Sequence, residues 1–529
     1  MLRTACVVAT LLLSAGAFGP TARAIGAAST GEIARAVGQD GGTALNAVYA
    51  ARRYAPLWTG SREAQTRLDT LVALLKMESA ADPAAAADSI GELDGAGAAS
   101  DVTLEVSATR AAIAYLVRRS GAATATTAKV LKAFQRLGDA TPSGPLATAL
   151  LHLELVRDLG GWSRVGTVPG PLPTVPPAPV ASPEVDVAPA LPRRKTLPEP
   201  VSLRQRLAQS SDLPASERGR LGMDDGLTAA VRRFQARHGL LADGVVGGRT
   251  LAALNAPVAR QIVQVRLNMA RGTPDRSGLA RYVVVNVPGF ELRVIDEGEV
   301  VLRSRVIVGE KDNKTPIFDD RIRFIEINPS WFVPDSIVPE LIEKEALRPG
   351  FLAKDGFRWR GSSEPGAKQT LVQRPGPENA LGRIKFLFPN HYNVYLHDTP
   401  QRKLFGRSQR SLSHGCVRVE KPNELALALL AGQGWDARRL EAAYQSRRTQ
   451  RVELVASVPV FLDYQTAFID DDGQLQLRPD LYGHDRAGIT VFNGKGLLPE
   501  PYVAADEAVP PGIRTPHLVP VVAATPPAS

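Results

Sequence analysis

Eleven prolines fall within residues 166–200, in a stretch with little apolar periodicity. Proline fixes φ and removes a backbone donor, so this stretch can neither continue a helix nor enter the middle of a sheet. It predicts an extended, semi-stiff linker that buries no core and separates two folded parts. At 529 residues the chain is also too long for one core, and two or three domains are expected. The 44% hydrophobic and 22% charged residues are ordinary for soluble globular protein.

The first residues bear on the compartment. Arg3 precedes an uncharged, mostly apolar run over 4–19, and Ala22-Arg23-Ala24 has the small-x-small form of a cleavage site. Residues 1–24 therefore read as a signal peptide, and the chain as exported, with no stable membrane anchor. The run is shorter than the roughly 20 residues a bilayer span requires. Cys6 lies near its start, which disfavours a lipoprotein site, and would leave with the signal. Cys416 is then the sole cysteine of the mature chain, and an unpaired thiol in an exported protein invites a functional explanation. The inert alternative is a small buried thiol. Loss of Arg3 and Arg23 lowers the formal net charge from +9 to +7. That balance suits an anionic polymer. The basic residues are scattered and not interleaved with aromatics, and export argues against nucleic acid.

Residues 25–165 read as a helical scaffold domain. Leu68, Leu71, Leu74 and Leu75 share a helical face, as do Leu146, Leu150 and Leu153, and Asp82-Pro83 reads as a helix start. A second helical unit is expected at 201–270. There Leu227, Val231 and Phe234 form a stripe ending near His238-Gly239, and an Asp243-Gly244 turn leads into a short helix capped by Thr250. From 281 the period switches to strands: 282–287, 291–296, 300–308, 321–328 and 394–397, with Glu297-Gly298 turning a hairpin. Residues 331–382 are long, mixed and proline-punctuated, as expected of a lid or substrate-facing insertion. Residues 423–431 and 437–450 look helical, and 458–464 and 475–477 could return to the sheet. A domain built mostly of strands is thus expected at 280–450, a C-terminal extension packing on it or on the scaffold part at 451–497, and a Pro-rich tail at 498–529. The fold class is α+β multidomain.

The chemistry concentrates in Tyr395-Leu396-His397-Asp398 and Ser413-His414-Gly415-Cys416-Val417-Arg418. A cysteine nucleophile needs an imidazole to take its proton and backbone N–H groups for the developing oxyanion. Gly415 permits a tight turn beside Cys416. Arg418, two residues on, shares the face of Cys416 if the segment is extended, and could fork onto a substrate carboxylate. His414 and His397 compete as base, and spacing does not choose between them. Asp398 is not promoted to a triad member, because adjacent strand residues point to opposite faces. A backbone carbonyl can orient the imidazole instead.

A histidine followed at this distance by Ser-His-Gly-Cys and Arg resembles the signature of the L,D-transpeptidase catalytic domain. The pattern at 230–255 resembles the small three-helix peptidoglycan-binding-like domain. Residues 49–58, 374–390 and 458–473 are also similar to large Gram-negative members that combine scaffold, wall module and catalytic sheet. The resemblance implies a mostly β catalytic domain and a capping lid within 331–382. It implies Cys416 as acyl-carrying nucleophile and His397 as general acid/base. His414, Gly415 and Ser413 would shape the pocket and oxyanion site, and Arg418, Ser413 and Tyr395 would serve the substrate side. It further implies peptidoglycan stem peptides as substrates, 3→3 crosslinks as product, carbapenem β-lactams as inhibitors, a periplasmic location and no cofactor.

Other readings remain. A papain-like hydrolase would place cysteine before histidine, and a sortase would carry a Thr-Leu-x-Thr-Cys strand with a later arginine; neither fits. His391, His397, His414 and Cys416 could in principle bind zinc, but no Cys-x-x-Cys or His-Glu-x-x-His pairing supports a metal. In a non-catalytic wall-binding protein the Ser-His-Gly-Cys-x-Arg set would be surplus.

Overall fold

The computed structural model describes residues 27–40, 42–78, 83–120, 127–140, 142–169, 196–361 and 369–486. The expected signal peptide, the middle of the Pro-rich stretch and the tail from 498 lie outside these residues.

Seven helices open the fold: α1 (Thr30–Asp40), α2 (Thr43–Ala51), α3 (Arg62–Met77), α4 (Pro83–Ala99), α5 (Asp101–Arg119), α6 (Thr127–Asp139) and α7 (Pro145–Asp158). Ser61 and Ser100 cap α3 and α5 by accepting from Ala64 N and Thr103 N. Leu71, Leu74 and Leu75 pack with Tyr115, Leu116, Phe134 and Leu155 in one core. The 49–58 segment is pinned by the buried Glu105. Its carboxylate accepts from Tyr49 OH (3.0 Å), Trp58 N (3.0 Å) and Thr59 Oγ1 (3.0 Å).

The two ends of the Pro-rich stretch do not diverge. Strands β1 (Thr167–Pro169) and β2 (Thr196–Pro198) pair antiparallel, Val168 opposite Leu197. The parts they join are in contact: Arg119 Nη1 donates to Gln209 O (2.7 Å) and Gln209 Nε2 to Arg119 O (3.0 Å). The expected spacer therefore has clasped ends. Proline content reports local stiffness, and says nothing of where the ends meet.

Helices α8 (Pro200–Gln209), α9 (Asp225–Arg237) and α10 (Gly248–Leu254) enclose Leu203, Leu207, Leu227, Val231, Phe234 and Leu254. Thr250 is not the cap of α10. Extended Gly247 takes that place, and Thr250 is buried inside the helix, accepting from Gln235 Nε2 (3.2 Å). Helix α11 (Val258–Arg271), expected within the same unit, packs Val258, Ile262 and Val265 against Ala149, Leu153 and Val156 of α7.

The remaining chain runs β3 (Arg281–Asn286), β4 (Glu291–Asp296), β5 (Glu299–Gly309), β6 (Phe318–Ile327), β7 (Trp331–Phe332), α12 (Val338–Leu347), α13 (Phe351–Lys354), β8 (Phe357–Arg360) and β9 (Thr370–Gln373). It continues with β10 (Ile384–Leu387), β11 (Leu396–His397), β12 (Ser411–Ser413), β13 (Val417–Val419), α14 (Pro422–Leu429), α15 (Ala437–Gln445), β14 (Gln450–Asp463), β15 (Ala467–Ile469) and β16 (Leu475–Leu477).

Nine strands form one sheet in the order β12-β5-β13-β11-β10-β6-β14-β3-β4, and β4 also pairs with β5, so the sheet returns on itself. Its interior is apolar: Val283, Val285, Ile325, Ile327, Phe386, Leu396, Val417 and Val419 are all fully buried, joined by Leu425 and Leu429 of α14. The expected return of 458–464 to the sheet is seen, while two expectations need correction. Strand β14 lies between β6 and β3, so the sheet runs past the expected boundary at 450 and 451–463 is not an appended extension. Strand β16 pairs only with β15, in a separate hairpin whose Ala467, Leu475 and Leu477 pack against α7 and α11. The 331–382 insertion folds as a three-stranded sheet, β7-β9-β8, packed on α12 and α13 around Val333, Leu341, Phe357 and Leu371. No described helix is long and apolar enough to cross a membrane.

Candidate active site

Strands β11 and β13 are parallel neighbours, with Leu396 opposite Val417 and His397 opposite Arg418. Leu396, Val417 and Val419 point into the sheet's core. Period-2 alternation then sends Tyr395, His397, Cys416 and Arg418 to the other face, together. The rings of Tyr395 and His397 are 5.7 Å apart, and the Cys416 thiol donates to Asn393 O at 3.9 Å. On the next strand Lys385 stands opposite His397, and beyond it Glu326 stands opposite Lys385, an ion pair of 3.1 Å.

His397 is 4% exposed, and its Nδ1 lies 2.5 Å from the carbonyl oxygen of Asp398. Nδ1 is therefore the donor, which leaves the lone pair on Nε2. The Asp398 carboxylate is engaged elsewhere, accepting from Arg383 N (2.9 Å) and Arg402 Nη1 (3.0 Å). Burial, reinforced by the Arg418 charge, pushes His397 down to about 3. Burial pushes the Cys416 thiol up, against the opposing pull of Tyr395 and Arg418. Burial thus disfavours the charged form of either group.

The turn before Cys416 is closed from within. Gly415 has φ +112°, a conformation that L side chains rarely adopt. Ser413 Oγ donates to Cys416 O (2.5 Å) and accepts from Gly415 N (3.2 Å). Ser413 is buried and its hydroxyl is engaged inside the turn, so its place is structural where substrate contact was expected. His414 Nε2 lies 3.3 Å from Glu340 Oε2 on α12, in the 331–382 insertion. Arg418 is steadied by Gln401, Nη1 to Oε1 at 3.0 Å. His391 is exposed, with its ring against Tyr392. Among the described residues no three His, Cys, Asp or Glu side chains converge on a possible metal position.

Sequence reasoning missed Lys385, Glu326, Gln401 and Glu340. The first two were within reach, since Lys385 alternates with buried Ile384 and Phe386, and Glu326 with buried Ile325 and Ile327. Gln401 and Glu340 carry no local signal.

The L,D-transpeptidase catalytic domain model matches residues 280–435, and a putative peptidoglycan binding domain model matches residues 197–254. A putative L,D-transpeptidase of Haemophilus influenzae is 34% identical over 220 residues, 39% of this chain and 44% of that protein. The chain thus matches less than half the length of that relative. Similar solved structures include an L,D-transpeptidase from Stackebrandtia nassauensis, at 18% identity and TM-score 0.21, covering 49% of this chain and 88% of that one. Another is the L,D-transpeptidase from Xylanimonas cellulosilytica, at 20% identity and TM-score 0.20, covering 55% and 100%. Residues 280–435 are thus similar to the L,D-transpeptidase catalytic domain.

Proposed function

We propose that this protein is a peptidoglycan L,D-transpeptidase that forms 3→3 crosslinks by cysteine acyl transfer. The observation that carries the reading is the shared face of Cys416 and His397 on paired parallel strands, with Nδ1 of the imidazole tied to a backbone carbonyl.

Cys416 Sγ attacks the carbonyl carbon of the third stem residue while His397 Nε2 takes the thiol proton. The oxyanion intermediate collapses, the bond to the terminal D-alanine nitrogen breaks, and the Nε2 proton passes to the departing amine. The side-chain amine of a second stem then attacks the thioester, giving its proton to Nε2. The C–S bond breaks, the new amide remains, and the thiol regains its proton. Arg418, steadied by Gln401, offers its guanidinium to a donor carboxylate, and Tyr395 borders the sulfur. No cofactor enters. Residues 197–254 hold the wall, the lid built on α12 covers the cleft, and export to the periplasm follows from the leader at 1–24.

Isolated walls exposed to wild-type protein and to Cys416→Ala test this. Dimers linked third residue to third residue should appear with wild type only. Loss of terminal D-alanine without dimers would make water the acceptor, and no cysteine-dependent change in the wall would overturn the reading. A carbapenem should add its mass to the intact wild-type chain and not to Cys416→Ala.

A further inference from the structure

The nucleophile turn is gripped from its buried side by two residues that the reaction above does not use. Thr315 Oγ1 donates to the carbonyl oxygen of Gly415 (2.7 Å) and accepts from Gly309 N (2.9 Å). Tyr482 OH donates to Gly309 O (2.6 Å) and accepts from Thr315 N (3.2 Å). Three of these bonds close a ring through Gly309, Thr315 and Tyr482, and the fourth ties that ring to Gly415; Thr315 is 1% and Tyr482 7% exposed. Gly309 sits where a Cβ would meet Asn313 O at 2.0 Å, so the loop from 309 to 315 folds back tightly on itself.

The consequence lies in one peptide plane. The carbonyl of Gly415 and the amide of Cys416 belong to the same trans peptide and point in opposite directions. Fixing that carbonyl on Thr315, at the buried side, fixes the Cys416 N–H toward the opposite side. Gly415 N is already drawn to Ser413 Oγ inside the turn. The Cys416 amide is therefore the backbone donor whose direction Thr315 controls. A donor of this kind acts only if it is aimed before charge develops.

Tyr482 is itself anchored outside the family-matched residues. Its N donates to Tyr464 OH (2.6 Å), which donates to Asp480 (2.7 Å). The same segment is tied to α11, through Thr466 N to Asn268 Oδ1 (2.9 Å) and Arg271 Nη2 to Asp485 Oδ1 (2.7 Å).

We infer that Thr315 and Tyr482 are positioning residues that aim the Cys416 amide at the oxyanion of acyl transfer, with Tyr482 bringing this support from the C-terminal segment. The inference rests on the acyl-transfer reading. Two rates on the full-length protein test it: acylation of Cys416 by imipenem, which passes through an oxyanion, and alkylation by iodoacetamide, which does not. Thr315→Val should slow acylation about 10²-fold, the size seen when one oxyanion donor is lost. Tyr482→Phe, which keeps the ring and its packing, should slow it about tenfold. Alkylation should stay within about twofold of wild type in both, and Thr315→Ser should recover most of the acylation rate. Unchanged acylation in both variants, or acylation and alkylation falling together, overturns the inference. Wild type that alkylates normally yet forms no imipenem adduct removes the acyl-transfer reading, and this inference with it.

Discussion

His397 and Asp398 are joined through the ring of one and the main-chain oxygen of the other, at 2.5 Å, and not through the Asp398 carboxylate. The tautomer is therefore held by backbone. In a carboxylate-based triad, converting the acid to its amide costs about 10⁴ in kcat. Here Asp398→Asn keeps the carbonyl and an oxygen for Arg383 N, so kcat should stay within about fivefold of wild type. His397→Gln should lose at least about 10²-fold. Steady-state D-alanine release measures both, and a loss near 10⁴ for Asp398→Asn would restore a triad.

Burial raises Cys416 and depresses His397, and this fixes the expected pH profile of the free thiol. A thiol raised by its surroundings stays protonated through neutrality and ionises only above its ordinary range. Iodoacetamide alkylation should then climb about tenfold per pH unit from 6 to 9, with no plateau on the acid side. His397→Gln should leave that slope unchanged, because the neutral ring gains or loses no proton between pH 6 and 9. A plateau below pH 7 would instead mean a preformed thiolate–imidazolium pair.

Much of this geometry was legible because its signals are local. Period-2 alternation placed Cys416 and Arg418 on one face, and His397 at a strand end beside a loop. What was not legible depends on partners far along the chain. The apolar residues of 458–464 announce a strand, yet its position between β6 and β3 is set by pairings more than a hundred residues away. Thr315 lies 100 positions from Gly415, and Tyr482 lies 167 from Thr315, so no window of sequence joins them. The pKa directions were missed for the same reason, since burial is a property of the closed sheet.

Burial pushes four histidines down: His397 to about 3, His152 and His238 well below the ordinary 6.5, and His484 below it. His152 Nδ1 meets Tyr115 OH at 2.5 Å, and His238 Nε2 is buried without a partner among the described residues. The folded state resists their protons while the unfolded chain accepts them near 6.5. Stability is therefore complete above that pH and is lost as pH falls toward the folded-state values. Each such histidine adds a slope of up to about 1.4 kcal/mol per pH unit. Thermal unfolding followed between pH 7 and 4 should show a steadily falling midpoint, and a flatter fall in His397→Gln. A midpoint that does not move over that range contradicts the assignment.

Glu340 ties the 331–382 insertion to the turn before Cys416 through His414, while its other oxygen takes Lys344 Nζ at 2.6 Å. Both partners of the His414 contact are about 40% exposed. Exposed pairs of this kind are worth about 0–1 kcal/mol. Glu340→Gln should therefore raise KM by no more than about fivefold and leave kcat nearly unchanged. Hydrogen exchange should speed up in α12 and not in β11 or β13. A collapse of kcat would place Glu340 in the chemistry and not in the lid.

The family-matched region ends at residue 435, yet the sheet that holds the nucleophile is completed by β14, residues 450–463. Val458, Val460 and Leu462 are buried there against the strands on either side. Each buried aliphatic side chain contributes about 1.5–3 kcal/mol, so the three account for roughly 5–9 kcal/mol before any backbone pairing is counted. That is comparable to the entire stability of an ordinary domain, about 5–15 kcal/mol. Removing β14 also strips the partner from β3 and from β6 at once, leaving two unpaired edges in what was a closed sheet. A chain ending at residue 445 should therefore fail to fold its catalytic domain, although Cys416, His397 and Arg418 all remain in it. Limited proteolysis should cut it between 281 and 445 where the full-length protein resists. A protease-resistant, imipenem-reactive product from the shortened chain would show that the sheet closes without its ninth strand.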